Sequence, residues 1–202
     1  MRIALSVVVL SLTFSAANTW GQQLQAIDFE AMPSVYFDSS GKVDACGLRL
    51  YALDSESTVN KFQSVDISVV LSTVGGAKGV AMIKGYSAEV TPETLARGKP
   101  LPVKITDAWV RVPGEERTRP VDGKLLRSQE SPTAVLYWTD VTAALKVFTA
   151  VVDGNPVQVS IKRQGSQVSP VYYGKAKIAE KDFLQFGSCM DELIAKLKNV
   201  PK

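Results

Sequence analysis

The stretch Phe62-Gln-Ser-Val-Asp-Ile-Ser-Val-Val-Leu71 decides the class of fold. Its odd-numbered positions from Val65 to Leu71 are all apolar, and Asp66 and Ser68 stand between them. Successive side chains of a strand point to opposite faces, so this alternation predicts a β-strand with one buried face and one solvated face. Strands of this kind are typical of antiparallel sheets.

The same period of two recurs on both sides of this stretch. It predicts further strands at 35–37, 46–53, 79–86, 102–112, 133–138, 157–162 and 171–178. The strand at 79–86 is expected to be the hairpin partner of 62–71, because two glycines separate them. The phase of the alternation changes within 102–112, which predicts a bulge near Asp107.

Two internal segments carry helix signals. Thr91 and Pro92 are the N-cap and first-turn residues of a short helix. Apolar residues recur at helical spacing over 140–152, after Asp140 as a cap. The apolar, β-branched run at 147–152 leaves a strand as the alternative for this segment.

The C-terminal segment predicts a third helix. Ser188 and Asp191 have the spacing of a capping box, and an apolar stripe with two late lysines follows. The predicted fold is therefore α+β. An antiparallel sheet or β-sandwich carries the C-terminal helix and one or two further helices packed on it.

The first 21 residues have the three regions of a secretory signal peptide. Arg2 gives a positive start, residues 3–14 are apolar but too short to span a bilayer, and small residues follow. Cleavage is expected after Ala17 or after Gly21. We therefore predict a periplasmic or secreted protein in which residues 22–202 form a single β-rich globular domain without a membrane span.

The predicted export of the chain determines how its two cysteines, Cys46 and Cys189, are interpreted. An even number of cysteines in an exported chain favours a disulfide, which here ties the start of a strand to the last helix. The alternative is a reactive Cys189 thiol near a helix N-terminus, where the pKa of a thiol is lowered.

The chain contains no histidine. Histidine is the commonest general base and metal ligand, so its absence excludes Ser-His-Asp and Cys-His arrangements and leaves an ordinary zinc site almost without ligands. No motif predicts a cofactor, and we expect neither cofactor nor metal. The net charge is only +3, with scattered basic residues, and this argues against nucleic-acid binding.

The segment 113–132 is a long polar connection, and such connections are often functional. Its four basic residues are offset by nearby acids, and all four are candidate contacts to a partner: Arg117, Arg119, Lys124 and Arg127. Tyr172 and Tyr173 place one ring on each face of a predicted strand, and we assign Tyr172 as a further candidate contact.

These observations favour a non-catalytic exported protein that binds another envelope or secreted protein. An envelope hydrolase that uses carboxylates or a Ser/Lys dyad is one alternative, since such dyads work without histidine. A purely structural envelope component is another. The oligomeric state and the identity of the partner stay open.

Overall fold

A computed structural model describes residues 24–55, 61–73, 79–127 and 131–198. The predicted signal peptide lies outside these ranges. The strands are β1 (Leu24–Ala26), β2 (Phe29–Phe37), β3 (Val43–Ser55), β4 (Phe62–Ser72), β5 (Val80–Tyr86), β6 (Ala88–Val90), β7 (Leu101–Pro102), β8 (Ile105–Arg111), β9 (Leu126–Arg127), β10 (Val135–Thr139), β11 (Pro156–Arg163) and β12 (Val171–Ile178). The helices are α1 (Pro92–Ala96), α2 (Val141–Val152) and α3 (Glu180–Lys198).

The described strands form one mixed, mainly antiparallel sheet. Its order is β8-β11-β12-β2-β3-β4-β5-β10-β9, with β1 beside β12, β6 beside β4 and β7 beside β6. β1 and β2 both run parallel to β12, and the remaining pairs are antiparallel. A mixed sheet with three helices confirms the α+β prediction.

The sheet curls until β8 comes close to β5. The Ile105 amide donates to the carbonyl of Thr133, and the Val103 amide donates to the carbonyl of Ser87. Gly85 lies at the point of closest approach, where a Cβ atom would overlap the Cβ of Ala108. Glycine is therefore needed there for close packing, rather than for an unusual backbone conformation.

Helices α2 and α3 cover the inner face of this curled sheet. The inner face is apolar on the central strands, and it includes Leu48 and Leu50 of β3 with Ile67 and Val69 of β4, all fully buried. Helix α2 contacts β4, β5, β8, β11 and β12, while α3 contacts β2 and β3. The two helices meet edge-to-face through Phe148 and Phe186, with ring centroids 5.3 Å apart. The buried positions of α2 show that the helical interpretation of 140–152 is correct.

Three predicted element boundaries need correction. Helix α3 begins at Glu180, so Ser188 and Cys189 lie inside it and do not cap it. Strand β2 begins at Phe29, upstream of the predicted 35–37, and contains Pro33. β12 pairs with β2 only as far as Ala31, so the missing N–H of Pro33 costs the sheet no bond on that side.

The predicted strand at 102–112 is divided between β7 and β8. The register of β8 against β11 shifts at Thr106, because Asp107 pairs with Lys162 and Ile105 pairs with Arg163. The irregularity lies next to the position predicted for the bulge.

Candidate functional site

The first half of the 113–132 connection forms one wall of a cleft of about 440 Å³. The opposite wall is the end of β10 and the first turns of α2, and the end of β8 closes the cleft on a third side. The cleft therefore joins two stretches of the chain, 110–121 and 139–146.

A second cavity of about 300 Å³ continues from this cleft along the side of α2. The two cavities share four lining residues: Val112, Glu115, Thr142 and Lys146. Lys146 Nζ lies 2.6 Å from Glu115 Oε2, so this ion pair joins the two walls where the cavities meet. We call the two cavities together the α2 trough.

Polar groups buried behind the trough fix its floor. The Thr118 hydroxyl accepts a hydrogen bond from the Val110 amide and lies 2.9 Å from the Tyr137 hydroxyl. The Tyr137 hydroxyl also donates to the carbonyl of Ala108 at 2.9 Å. Burial raises the pKa of Tyr137 far above its usual value, so this hydroxyl stays protonated. The network attaches the loop wall to β8 and β10.

Thr139 contributes a hydroxyl to the floor of the cleft. The residue is only 5% exposed and lines the cleft, and its hydroxyl makes no hydrogen bond within the described residues. The oxygen is not one of the buried polar atoms without a partner, so it stays accessible from the cleft. The next residue, Asp140, caps α2, and its carboxylate accepts from the Ala143 amide at 3.1 Å. The trough therefore has a free hydroxyl at the positive end of the helix dipole.

Four basic and three acidic side chains line the cleft. Two of the acids are already engaged: Glu115 with Lys146, and Asp140 as the helix cap. Arg111 is held by Gln158 at 2.6 Å and lies over the ring of Trp109. The unengaged charge of the cleft is mainly that of its arginines.

The structure separates the four basic residues predicted in this connection. Arg117 and Arg119 line the cleft, are exposed, and make no ion pair within the described chain. Lys124 is exposed but does not line the trough. Arg127 instead donates to the carbonyls of Ile105 at 2.7 Å and Ala134 at 3.2 Å, which ties β9 to the neighbouring strands.

Tyr172, the other candidate contact, is fully buried. Its hydroxyl donates to Asp54 at 2.8 Å and lies 3.4 Å from Arg163 Nη2. Burial raises the pKa of Tyr172 to about 12. The exposed ring of the pair is that of Tyr173, so Tyr172 joins strands inside the protein and presents no surface to a partner.

Cys46 and Cys189 form a disulfide, with 5.9 Å between their Cα atoms. The bond links β3 to the middle of α3, and both residues are buried. A reactive Cys189 at a helix start is therefore not what the structure shows, because the residue is cross-linked and lies nine positions inside α3.

A separate groove of about 360 Å³ lies on the outer face of the sheet. Arg49 donates to both carboxylate oxygens of the buried Asp66, at 2.9 Å and 2.5 Å. Burial, followed by the charge of Asp66, raises the pKa of both Tyr51 and Tyr86 beside this pair. Arg49 and Asp66 therefore neutralise each other beside this outer groove. Arg117 and Arg119 of the α2 trough have no such acidic partner among the described residues.

Sequence reasoning missed the helix side of the trough. Thr139, Thr142 and Lys146 follow one another around a capped helix start, but nothing in their order indicates which segment lies opposite. Within the described ranges, no three histidine, cysteine or acidic side chains are grouped so that they could hold a metal ion. None of the described helices is both long and apolar enough to cross a membrane.

The geometry of the α2 trough must be interpreted from its own chemistry. The chain matches no protein-family model, no curated protein and no solved structure.

Proposed function

We propose that this chain is an exported, non-catalytic binding protein and that the α2 trough is its binding surface. The single observation that supports this most directly is the pair Arg117 and Arg119. Both line a formed cleft, and both lack an ion pair within the described chain. Charged side chains that the protein itself leaves unpaired are available to a partner.

The walls of the trough are fixed, which favours binding without large rearrangement. Thr118 and Tyr137 hold the loop wall from behind, and α2 is buried along its other side. Side chains presented on such a scaffold lose little freedom when they bind, so more of the interaction free energy appears as affinity.

Export is part of the same proposal. Its support is the sequence of residues 1–21 together with the disulfide, because disulfides persist in oxidising compartments. We accordingly propose a periplasmic or secreted location and a partner in the same compartment.

Site-specific photo-crosslinking tests the binding surface. A photoreactive phenylalanine would replace Leu145 or Val121, which are exposed in the two parts of the trough, and Val168 as a matched exposed position outside it. We expect discrete adducts from both trough positions when the producing cells are irradiated, and none from position 168. Equal adducts at all three positions, or no adduct at either trough position, would contradict the proposal.

A further inference from the structure

We propose that the α2 trough binds an extended peptide segment that carries an acidic side chain at one end and an apolar side chain three or four residues away. This inference rests on the proposed binding function and adds the chemistry of the ligand. It follows from the unequal character of the two ends of the trough.

The end of the trough near β10 is suited to a carboxylate. Arg117 and Arg119 supply guanidinium groups that make no ion pair with the described residues, and the Thr139 hydroxyl lies on the floor. A guanidinium can donate two parallel hydrogen bonds to a carboxylate, and a hydroxyl can donate a third. Glu116 is the one acid of this end without an assigned partner, and it is outnumbered by the arginines.

The other end of the trough is mostly uncharged. Val112, Leu145 and Ala150 line it together with Thr149 and Asn155. Leu145 is 42% exposed, although it lies at the wall of a cavity. An apolar side chain placed here would remove this surface from water, which is the usual source of affinity at such a wall.

The length of the trough sets the spacing. Thr142 and Ala150 are eight residues apart on α2, and a helix rises 1.5 Å per residue, so the wall between them is about 12 Å long. An extended peptide rises about 3.3 Å per residue and would cover this wall with roughly four residues. The Glu115–Lys146 ion pair crosses the middle, where both side chains are about half exposed. Such an exposed pair is weak enough to separate as the peptide enters.

The test uses short fluorescent peptides with both chain ends blocked, so that side chains carry their only charges. The probes are Glu-Glu-Ala-Ala-Leu and the reversed order Leu-Ala-Ala-Glu-Glu, with glutamine or lysine replacing glutamate as controls. We expect saturable binding of at least one glutamate peptide by fluorescence anisotropy, weakening as salt is added. The glutamine and lysine peptides should bind at least fivefold more weakly.

Variants locate the binding in the trough. Arg117→Gln combined with Arg119→Gln should weaken the glutamate peptide about fivefold or more, since exposed charge pairs contribute up to about fivefold each. Thr139→Val should weaken it about threefold, because the hydroxyl is lost while the branched shape is kept. Arg97→Gln is the matched control, as Arg97 is exposed and outside the trough.

Several results would overturn the inference. With the peptides, it is overturned if neither glutamate peptide binds, or if the lysine peptide binds as tightly as the glutamate peptide. With the variants, it is overturned if the double arginine variant binds the glutamate peptide as tightly as Arg97→Gln does, or if Thr139→Val leaves that affinity unchanged. Binding of inorganic phosphate without binding of a peptide would also overturn it. Trough-specific crosslinks without peptide binding would remove this inference and leave the proposed function standing. The absence of both crosslinks and peptide binding would remove the inference and the proposed function together.

Discussion

Loss of the cross-link between Cys46 and Cys189 is expected to destabilise the folded protein by up to about 5 kcal/mol. The two residues are 143 positions apart. Closing a loop of that length in the unfolded chain lowers its entropy by about 17 cal/mol/K, which corresponds to about 5 kcal/mol at 25 °C. Measured effects are often smaller than this chain-entropy figure, so we expect a decrease of about 2–5 kcal/mol.

Urea unfolding of three forms measures this decrease: the oxidised protein, the reduced protein, and the variant Cys46→Ala with Cys189→Ala. With a slope of about 2 kcal/mol per molar urea, the unfolding midpoint should fall by about 1–2.5 M. The reduced protein keeps both sulfur atoms in the core, so its difference from the alanine variant isolates the lost packing. A decrease of less than about 1 kcal/mol on reduction would refute the argument from loop length.

Three further predictions concern other parts of the chain. Burial raises the pKa of Tyr172 from 10.0 to about 12, so the neutral tyrosine stabilises the fold fully below pH 10, and this stabilisation is lost between pH 10 and 12. Alkaline unfolding followed by tyrosinate absorbance should show this loss of stability. The variant Tyr172→Phe should no longer show the loss. Glu115→Gln should change the free energy of unfolding by less than about 1 kcal/mol, because the ion pair with Lys146 is exposed. The same variant should bind an acidic peptide more tightly, because Lys146 is released from Glu115. Unchanged or weaker binding in a peptide titration would contradict this prediction. The mature protein should begin at residue 18 or 22, after cleavage at Ala17 or Gly21, and N-terminal sequencing that returns Met1 would be inconsistent with export.

The sheet was the most predictable part of this fold because its signal is local. The alternation from Val65 to Leu71 identifies the face of β4 that packs inward. The opposite face, predicted to be solvated, is buried as well, and its Asp66 is paired with Arg49. The first part of α3 was missed for a physical reason. Phe183 and Leu184 are substantially exposed, and Gly187 lies within the helix, so residues 180–187 lack a clear apolar stripe. Within that first part, Phe186 is buried against Phe148 of α2, and this tertiary contact has no signal in the local sequence.

The loop side of the candidate site was predictable from the sequence, and the helix side was not. The polar composition of 113–132 indicates a functional connection, and Arg117 and Arg119 lie in the trough. Whether an arginine faces a cleft or binds a backbone carbonyl depends on the strand across from it. Arg127 has the same local character as Arg117, yet it donates to Ile105, which is 22 residues away. Thr139 lines the cleft because of how β10 packs beside the loop, which its local sequence does not indicate.

The pairing of β1 with β12 determines when the first strand can join the sheet during synthesis. Leu24 lies opposite Val171, so 147 residues must be made after Leu24 before its partner exists. At roughly 5–20 residues per second, synthesis of that interval takes on the order of 10 s. The beginning of the chain must therefore stay unpaired until its end arrives. Any factor that keeps this chain from aggregating has to act on the unfinished sheet throughout that interval.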